Sequence, residues 1–337
     1  MNAILGLLIV ALGSFCQSSS YVPIKKVRRW SWESFWLVQG VFAWIVFPLL
    51  GALLAVPDGS SLLRILGSDP AAALKAAGFG ALWGVGGLTF GLSMRYLGVA
   101  LGQSLSLGLC AAVGTLLPAL TSREDLFHGS GLILLIGVCL TIAGIAVIGY
   151  AGALRSRGMS EEDRKNAVKD FALTKGLLIA VLSGVMSACF SLGLEAGKTL
   201  QVDGMKPLFA TLPATLMVTL GGFVTNAAYC LHKNRRNGTF SDYAGRKVLG
   251  GNILFCALAG LLWYSQFFGL GVGKSFFGPD SVLMKFSWCI LMSLNVLFSN
   301  VWGIILKEWK GAGRKTVAVL VCGLVILVFS LVFPNIW

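Results

Sequence analysis

Residues 1–57 read MNAILGLLIVALGSFCQSSSYVPIKKVRRWSWESFWLVQGVFAWIVFPLLGALLAVP. Two runs free of Asp, Glu, Lys, Arg and His, 1–24 and 34–57, flank a link where Lys25, Lys26, Arg28 and Arg29 crowd together. Each run can cross a hydrocarbon core of about 30 Å as a helix rising about 1.5 Å per residue. The pattern recurs at 76–94, 96–122, 129–154, 176–194, 207–231, 248–273, 286–306 and 316–337. These ten runs define spans 1 to 10. The links after spans 1, 3, 5, 7 and 9 carry 20 of the 27 Lys and Arg with seven acids; the other four carry seven bases and seven acids. Basic links stay on the cytoplasmic side, so both termini are expected outside. The net charge of +13 is thus an orientation signal rather than a nucleic-acid footprint.

Hydrophobic residues make up 56% of the chain and charged residues only 12%, far from soluble averages. The 43 glycines suit close helix packing in lipid. No external link is long enough for a soluble domain. A cleaved signal peptide is not expected, because the basic cluster follows the first apolar run rather than preceding it. The eight cysteines are scattered singly, without a Cys-x-x-Cys pair, and read as small buried hydrophobes. With only His128 and His232, both at link edges, no metal site or cofactor is expected.

The longest polar segment, 154–174, separates two five-span halves, 1–153 and 175–337. Within it, Ser160 before Glu161, Glu162 and Asp163 predicts the start of a short cytoplasmic surface helix. The halves resemble each other weakly. Residues 6–20 align with 176–190 at five identities, and 80–98 align with 260–278, pairing Gly80 with Gly260, Trp83 with Trp263, Gly91 with Gly271 and Gly98 with Gly278. An odd number of spans per half inserts the second half upside down. The expected fold is an all-α polytopic membrane protein of ten transmembrane helices, arranged as two inverted five-helix repeats. Such repeats are typical of secondary transporters, with a site near the midplane.

The best sequence pointer to that site is a pair of glycine-interrupted spans at matching positions, here spans 3 and 8; tight helix packing would give the same glycines. Trp30, Trp32, Trp36, Trp288, Trp302, Trp309 and Trp337 fall near span ends, as interfacial anchors do. Trp83 and Trp263 lie deep, and Trp44 is central in span 2. An indole face can cover the apolar side of a small solute or pyranose, or simply fill space. Nearby Thr89, Gln103, Tyr264 and Gln266 could read hydroxyls; these, with Ser104, Asn226 and Asn295, could equally join helices. No span has an interior charge, which favours a neutral substrate. The coupling candidates sit at span edges: Glu195, three residues before Lys198 and so placed for a surface ion pair, and Glu33.

Several strings resemble the L-rhamnose–proton symporter family. They are Pro23-x-Lys25-Lys26-Val27, Trp30-Ser31-Trp32-Glu33, Met94-Arg95-Tyr96-Leu97-Gly98, Trp263-Tyr264-x-Gln266-Phe267-Phe268, Ser287-Trp288 with Met292-Ser293, and Leu306-Lys307-Glu308-Trp309 with Ala312-Gly313-Arg314. They run from span 1 to span 10. The resemblance implies the drug/metabolite transporter superfamily, a bacterial inner-membrane location, and uptake of L-rhamnose with a proton. The chain departs from the family's pattern at Gly87 and Thr89 in span 3 and at Glu195 in span 6, where asparagines are expected. The alternative is an exporter, or a carrier of another neutral metabolite, on the same fold. An intramembrane enzyme would need titratable or nucleophilic groups converging inside the bundle, and the spans offer none. A sensor would need a signalling domain.

Overall fold

A computed structural model describes residues 2–97, 99–158, 172–306 and 309–335. Among them there is no strand. Ten helices are long and apolar enough to cross a membrane: Ala3–Ile24, Trp32–Leu53, Pro70–Met94, Gly102–Thr121, Gly129–Arg155, Thr174–Ala196, Pro207–Asn237, Val248–Lys274, Val282–Ile305 and Arg314–Val332. They match spans 1 to 10 one for one. The helix expected to start at Ser160 lies outside the described residues. Large apolar side chains stand open along the spans, including Leu8, Leu12, Leu178, Val224 and Val325, each more than 60% exposed. In water such surfaces would drive aggregation; in lipid they are the solvent-facing side.

The chain divides into two compact units, neither of them a sequence half. The first comprises Met1–Gly84 and Leu192–Phe276, the second Val85–Ser191 and Phe277–Trp337. In the first unit, spans 1 and 8 pack along most of their length. Glycines allow it: a Cβ on Gly13 would stand 2.5 Å from the Ser265 carbonyl oxygen, one on Gly269 2.9 Å from that of Ile9, and one on Gly273 2.8 Å from that of Gly6. Spans 3 and 7 also meet backbone to backbone. A Cβ on Gly80 would fall 2.0 Å from the Val218 carbonyl oxygen, and one on Gly221 1.9 Å from that of Ala77. Below these crossings Ile65, Ala72, Ala73, Leu200 and Ala214 form a small apolar core, beside which Thr199 donates to Asp69 (2.6 Å).

In the second unit, spans 5 and 10 pack around Ile145, Ile148, Leu320 and Leu327. Buried hydroxyls join three of its helices: Ser293 donates to Thr141 (3.4 Å), which donates to Ser330 (3.1 Å). Trp288, expected as an interfacial anchor, is only 5% exposed. Its indole N–H donates to the Cys110 carbonyl (3.2 Å), and it stacks on Phe190 at 5.8 Å. Gly114 makes the room, since a Cβ there would stand 2.3 Å from the indole nitrogen. Five cysteines are buried and none is paired; Cys139 and Cys322 are exposed.

The glycine-rich spans 3 and 8 are not broken. Pro70–Leu97 and Arg246–Lys274 are continuous helices, so their glycines serve close approach or face open space, as Gly78, Gly87, Gly91, Gly250 and Gly251 do. Span 2 departs from α-helical winding. It winds as a π-helix over Phe42–Val46 immediately before Pro48, with the Phe47 N–H reaching back to the Phe42 carbonyl. A proline inside a helix supplies no N–H and crowds the carbonyl four residues back, here that of Trp44. The wider turn relieves that crowding and re-aims Trp44. Such π-turns occur frequently at functional sites.

Candidate functional site

Three tryptophans from three spans of the first unit converge. The rings of Trp44 and Trp83 lie 5.8 Å apart at 90°, those of Trp44 and Trp263 5.9 Å apart at 81°, and those of Trp83 and Trp263 5.7 Å apart at 35°. Trp83 and Trp263 thus stand side by side on the buried Trp44, itself 4% exposed, and both keep part of their surface open. Glycines shape this group too. A Cβ on Gly40 would strike the benzo edge of Trp44 at 2.7 Å, and one on Gly222 would reach the Trp83 ring at 2.1 Å. Phe267 extends the cluster 5.1 Å beyond Trp263. On the other side Trp36 and Trp32 continue it as an indole ladder toward the start of span 2, at 5.6 and 5.3 Å. The Trp36 N–H donates to Asn226 Oδ1 (2.9 Å), whose amide donates to the Gly222 carbonyl (2.9 Å) and, at 3.4 Å, to that of Gly84. Asn226 therefore ties spans 2, 3 and 7 around the tryptophans, which is the joining role open to it from sequence.

The other expected hydroxyl readers are placed differently. Tyr264 is 4% exposed, and its hydroxyl sits on Gly51 of span 2, where an added Cβ would be 2.1 Å away. Gln266, also 4% exposed, lies against span 1 at Gly13, and its amide donates to the Trp263 carbonyl (3.1 Å). Thr89 and Gln103 belong to the second unit. The Thr89 hydroxyl lies 2.8 Å from the Val85 carbonyl and 3.1 Å from that of Gly86 on its own helix; Gln103 is half-buried. Structure thus joins Trp83 and Trp263, adds Trp44, and rests the Tyr264 hydroxyl on Gly51 of span 2. Trp44 was missed as a site residue; its signal was a central tryptophan four residues before a proline.

The two acids occupy unlike settings. Glu33, 7% exposed, accepts from the Asn237 amide (2.8 Å) and the Thr239 hydroxyl (3.0 Å). It belongs to a polar clamp between the start of span 2 and the link after span 7. Within that clamp the Ser34 hydroxyl donates to Asn234 Oδ1 (3.2 Å), and the Asn234 amide donates to Tyr243 (2.7 Å). The backbone reverses at Arg29 (φ 60°), bringing the Trp30 indole N–H to the Asp242 carbonyl (2.9 Å) and the Ser31 N–H to the Asp242 carboxylate (2.8 Å). Burial pushes the Asp242 carboxyl up, but the bonds from Ser31 and Ser34 outweigh it and hold the group below its ordinary range. Glu195, by contrast, is 40% exposed and ion-paired to Lys198. No cluster of three potential metal ligands occurs among the described residues.

A sequence model described as "L-rhamnose-proton symport protein" matches residues 1–335. The chain belongs to this family of membrane transporters. The L-rhamnose-proton symporter of Yersinia pestis (strain Pestoides F) is 35% identical over 339 residues, covering 97% of this chain and 96% of the relative. That of Mannheimia succiniciproducens is 35% identical over 340 residues, covering 98% and 96%. The resemblance carried by the tryptophan-rich and basic motifs is borne out along the whole chain, and with it the transporter rather than the enzyme.

Proposed function

We propose that the chain takes up L-rhamnose together with a proton across a bacterial inner membrane, by alternating access around the Trp44–Trp83–Trp263 site. The meeting of these three rings carries the reading. Paired indole faces offer an apolar platform for the C–H face and methyl group of a 6-deoxyhexose, and no charge lies among them. The names of the relatives supply the sugar and the ion. The two halves, 1–153 and 175–337 about the 154–174 linker, act as inverted repeats, with basic links inside and both termini outside. One correspondence favours this: Gly13 packs on Gln266, and the aligned positions meet likewise, Ser183 donating to the Gly86 carbonyl (3.1 Å). Gly6 lies against Gly273, and its counterpart Gly176 lies against Tyr96 and Leu97. Protonation then biases the balance of outward and inward states, with Glu195 and Glu33 as the candidate acids.

The test is external pH in a lightly buffered, de-energised suspension of expressing cells. Adding L-rhamnose should alkalinise the medium, and D-glucose should not. Trp83→Ala and Trp263→Ala should abolish the change while inserting normally; wild-type signals from both would remove this site. Labelled rhamnose entering without any pH change would discard the proton. The coupling acid is identified by Glu195→Gln and Glu33→Gln, since its variant keeps rhamnose exchange but loses uphill accumulation.

A further inference from the structure

Two buried polar groups beside the tryptophans have no hydrogen-bond partner in the protein: the indole N–H of Trp44 and the hydroxyl of Tyr264. Each side chain is 4% exposed, and a buried polar group left unpaired is normally a cost that a fold avoids. Both groups lie against span 2. The benzo edge of Trp44 rests over Gly40, so its N–H edge faces the other way. The Tyr264 hydroxyl rests on Gly51, seven residues beyond Trp44. Positions 44 and 51 are about two turns apart along a stretch that includes the π-turn, with backbone levels roughly 10 Å apart. The indole leans back over Gly40 and the phenol hydroxyl ends at Gly51, so the two groups stand at opposite ends of this stretch of span 2. Groups so spaced suit hydroxyls on opposite sides of one small ring. Spans 2 and 8 cross just below, where a Cβ on Gly260 would stand 2.8 Å from the Phe42 Cβ and 2.9 Å from the Ala43 nitrogen, and the π-turn that re-aims Trp44 begins there.

We propose that Trp44 and Tyr264 form a pair of hydrogen-bonding groups, left unpaired by the fold, that reads the hydroxyls of a neutral polyol ring resting on Trp83 and Trp263. This rests on the sugar-site reading above and goes beyond it. The indoles supply an apolar face common to many pyranoses, whereas the two polar groups make the site selective. A site built to hydrogen-bond a hydroxyl rejects the analogue lacking it far more strongly than an apolar pocket rejects an added group. Trp44 can only donate, through its N–H, while Tyr264 can donate or accept. The indole therefore requires an acceptor oxygen, and the phenol tolerates either orientation of its partner.

The experiment measures binding of L-rhamnose and its singly deoxygenated analogues to the purified full chain, comparing wild type, Tyr264→Phe, Trp44→Phe, Trp83→Ala and Trp263→Ala. Tyr264→Phe should bind L-rhamnose about tenfold more weakly, the loss of one hydrogen bond. It should also lose discrimination against one particular deoxy analogue, and its ligand-free melting temperature should be equal or higher. Trp44→Phe should lose discrimination at a different hydroxyl. Unchanged affinity and discrimination in Tyr264→Phe, with binding abolished by Trp83→Ala and Trp263→Ala, would overturn the pairing and leave the sugar site standing. Equal weakening toward every analogue would also overturn it, because that is the mark of a structural or water-bridged hydroxyl. Wild-type binding in the Trp83 and Trp263 variants would remove the sugar site itself.

Discussion

Replacing Gly221 by alanine tests whether backbone contact between spans 3 and 7 holds the tryptophans together. The added Cβ would stand 1.9 Å from the Ala77 carbonyl oxygen and 2.8 Å from the Ala81 nitrogen. Both obstacles are backbone of a long helix, so no side chain can rotate aside. Restoring ordinary contact requires these backbones to part by about 1.5 Å, and a gap of even 0.5–1 Å forfeits about a quarter to a half of each contact's attraction. Overpacking of this kind costs about 1–3 kcal/mol. Trp83, carried on span 3, would also loosen its two ring contacts, each worth about 0.5–1.5 kcal/mol. Against this, alanine is preferred over glycine inside a helix by about 1 kcal/mol. The control isolates that last effect: Gly78, on the same span 3, has nothing within 4 Å of an added Cβ. Thermal unfolding of the purified protein should therefore rank Gly78→Ala at or above wild type and Gly221→Ala clearly below it, with rhamnose uptake reduced only in the latter. Equal melting temperatures for the two variants would refute the reasoning.

Asn226→Leu leaves the Trp36 N–H without its acceptor and should destabilise the protein by about 1–3 kcal/mol, read by thermal melting, with a change in tryptophan emission. The depressed Asp242 carboxyl contributes stability above its unfolded value of about 3.9, and this is lost as pH falls through the lower folded value. The melting temperature of wild type should therefore drop more steeply than that of Asp242→Asn on acidification below about pH 4; parallel curves would show that the Ser31 bonds add nothing. For orientation, a periplasm-dependent phosphatase fused after residue 337 should be active, and one placed in the 154–174 linker inactive. The reverse pattern would overturn the orientation read from the basic links.

The ten spans were legible because crossing a membrane is a local property: a run of residues either avoids charge for long enough or does not. Family membership was legible for a related reason, since short motifs survive along the chain. The clamp at Glu33 was half legible. The acid stood out in the Trp30-Ser31-Trp32-Glu33 string, but its donors Asn237 and Thr239 lie about two hundred residues away. Trp83 and Trp263 were marked as deep. Nothing in their spacing showed that they meet, or that the Gln266 backbone lies against Gly13 of span 1, because a helix rotated by one position presents another face.

Charge and hydropathy along the chain alone marked the ten membrane-spanning helices, and the short motifs spread along it marked the family. Only the tertiary structure decided that Trp44 joins the pair, that Trp288 is buried on Phe190 rather than anchored at an interface, and which glycines are contacts. The physical reason is that these facts depend on helix rotation and crossing. Both are set by backbone approaches such as Gly80 on Val218 and Gly260 on Phe42, between residues far apart in sequence, and by one π-turn before Pro48.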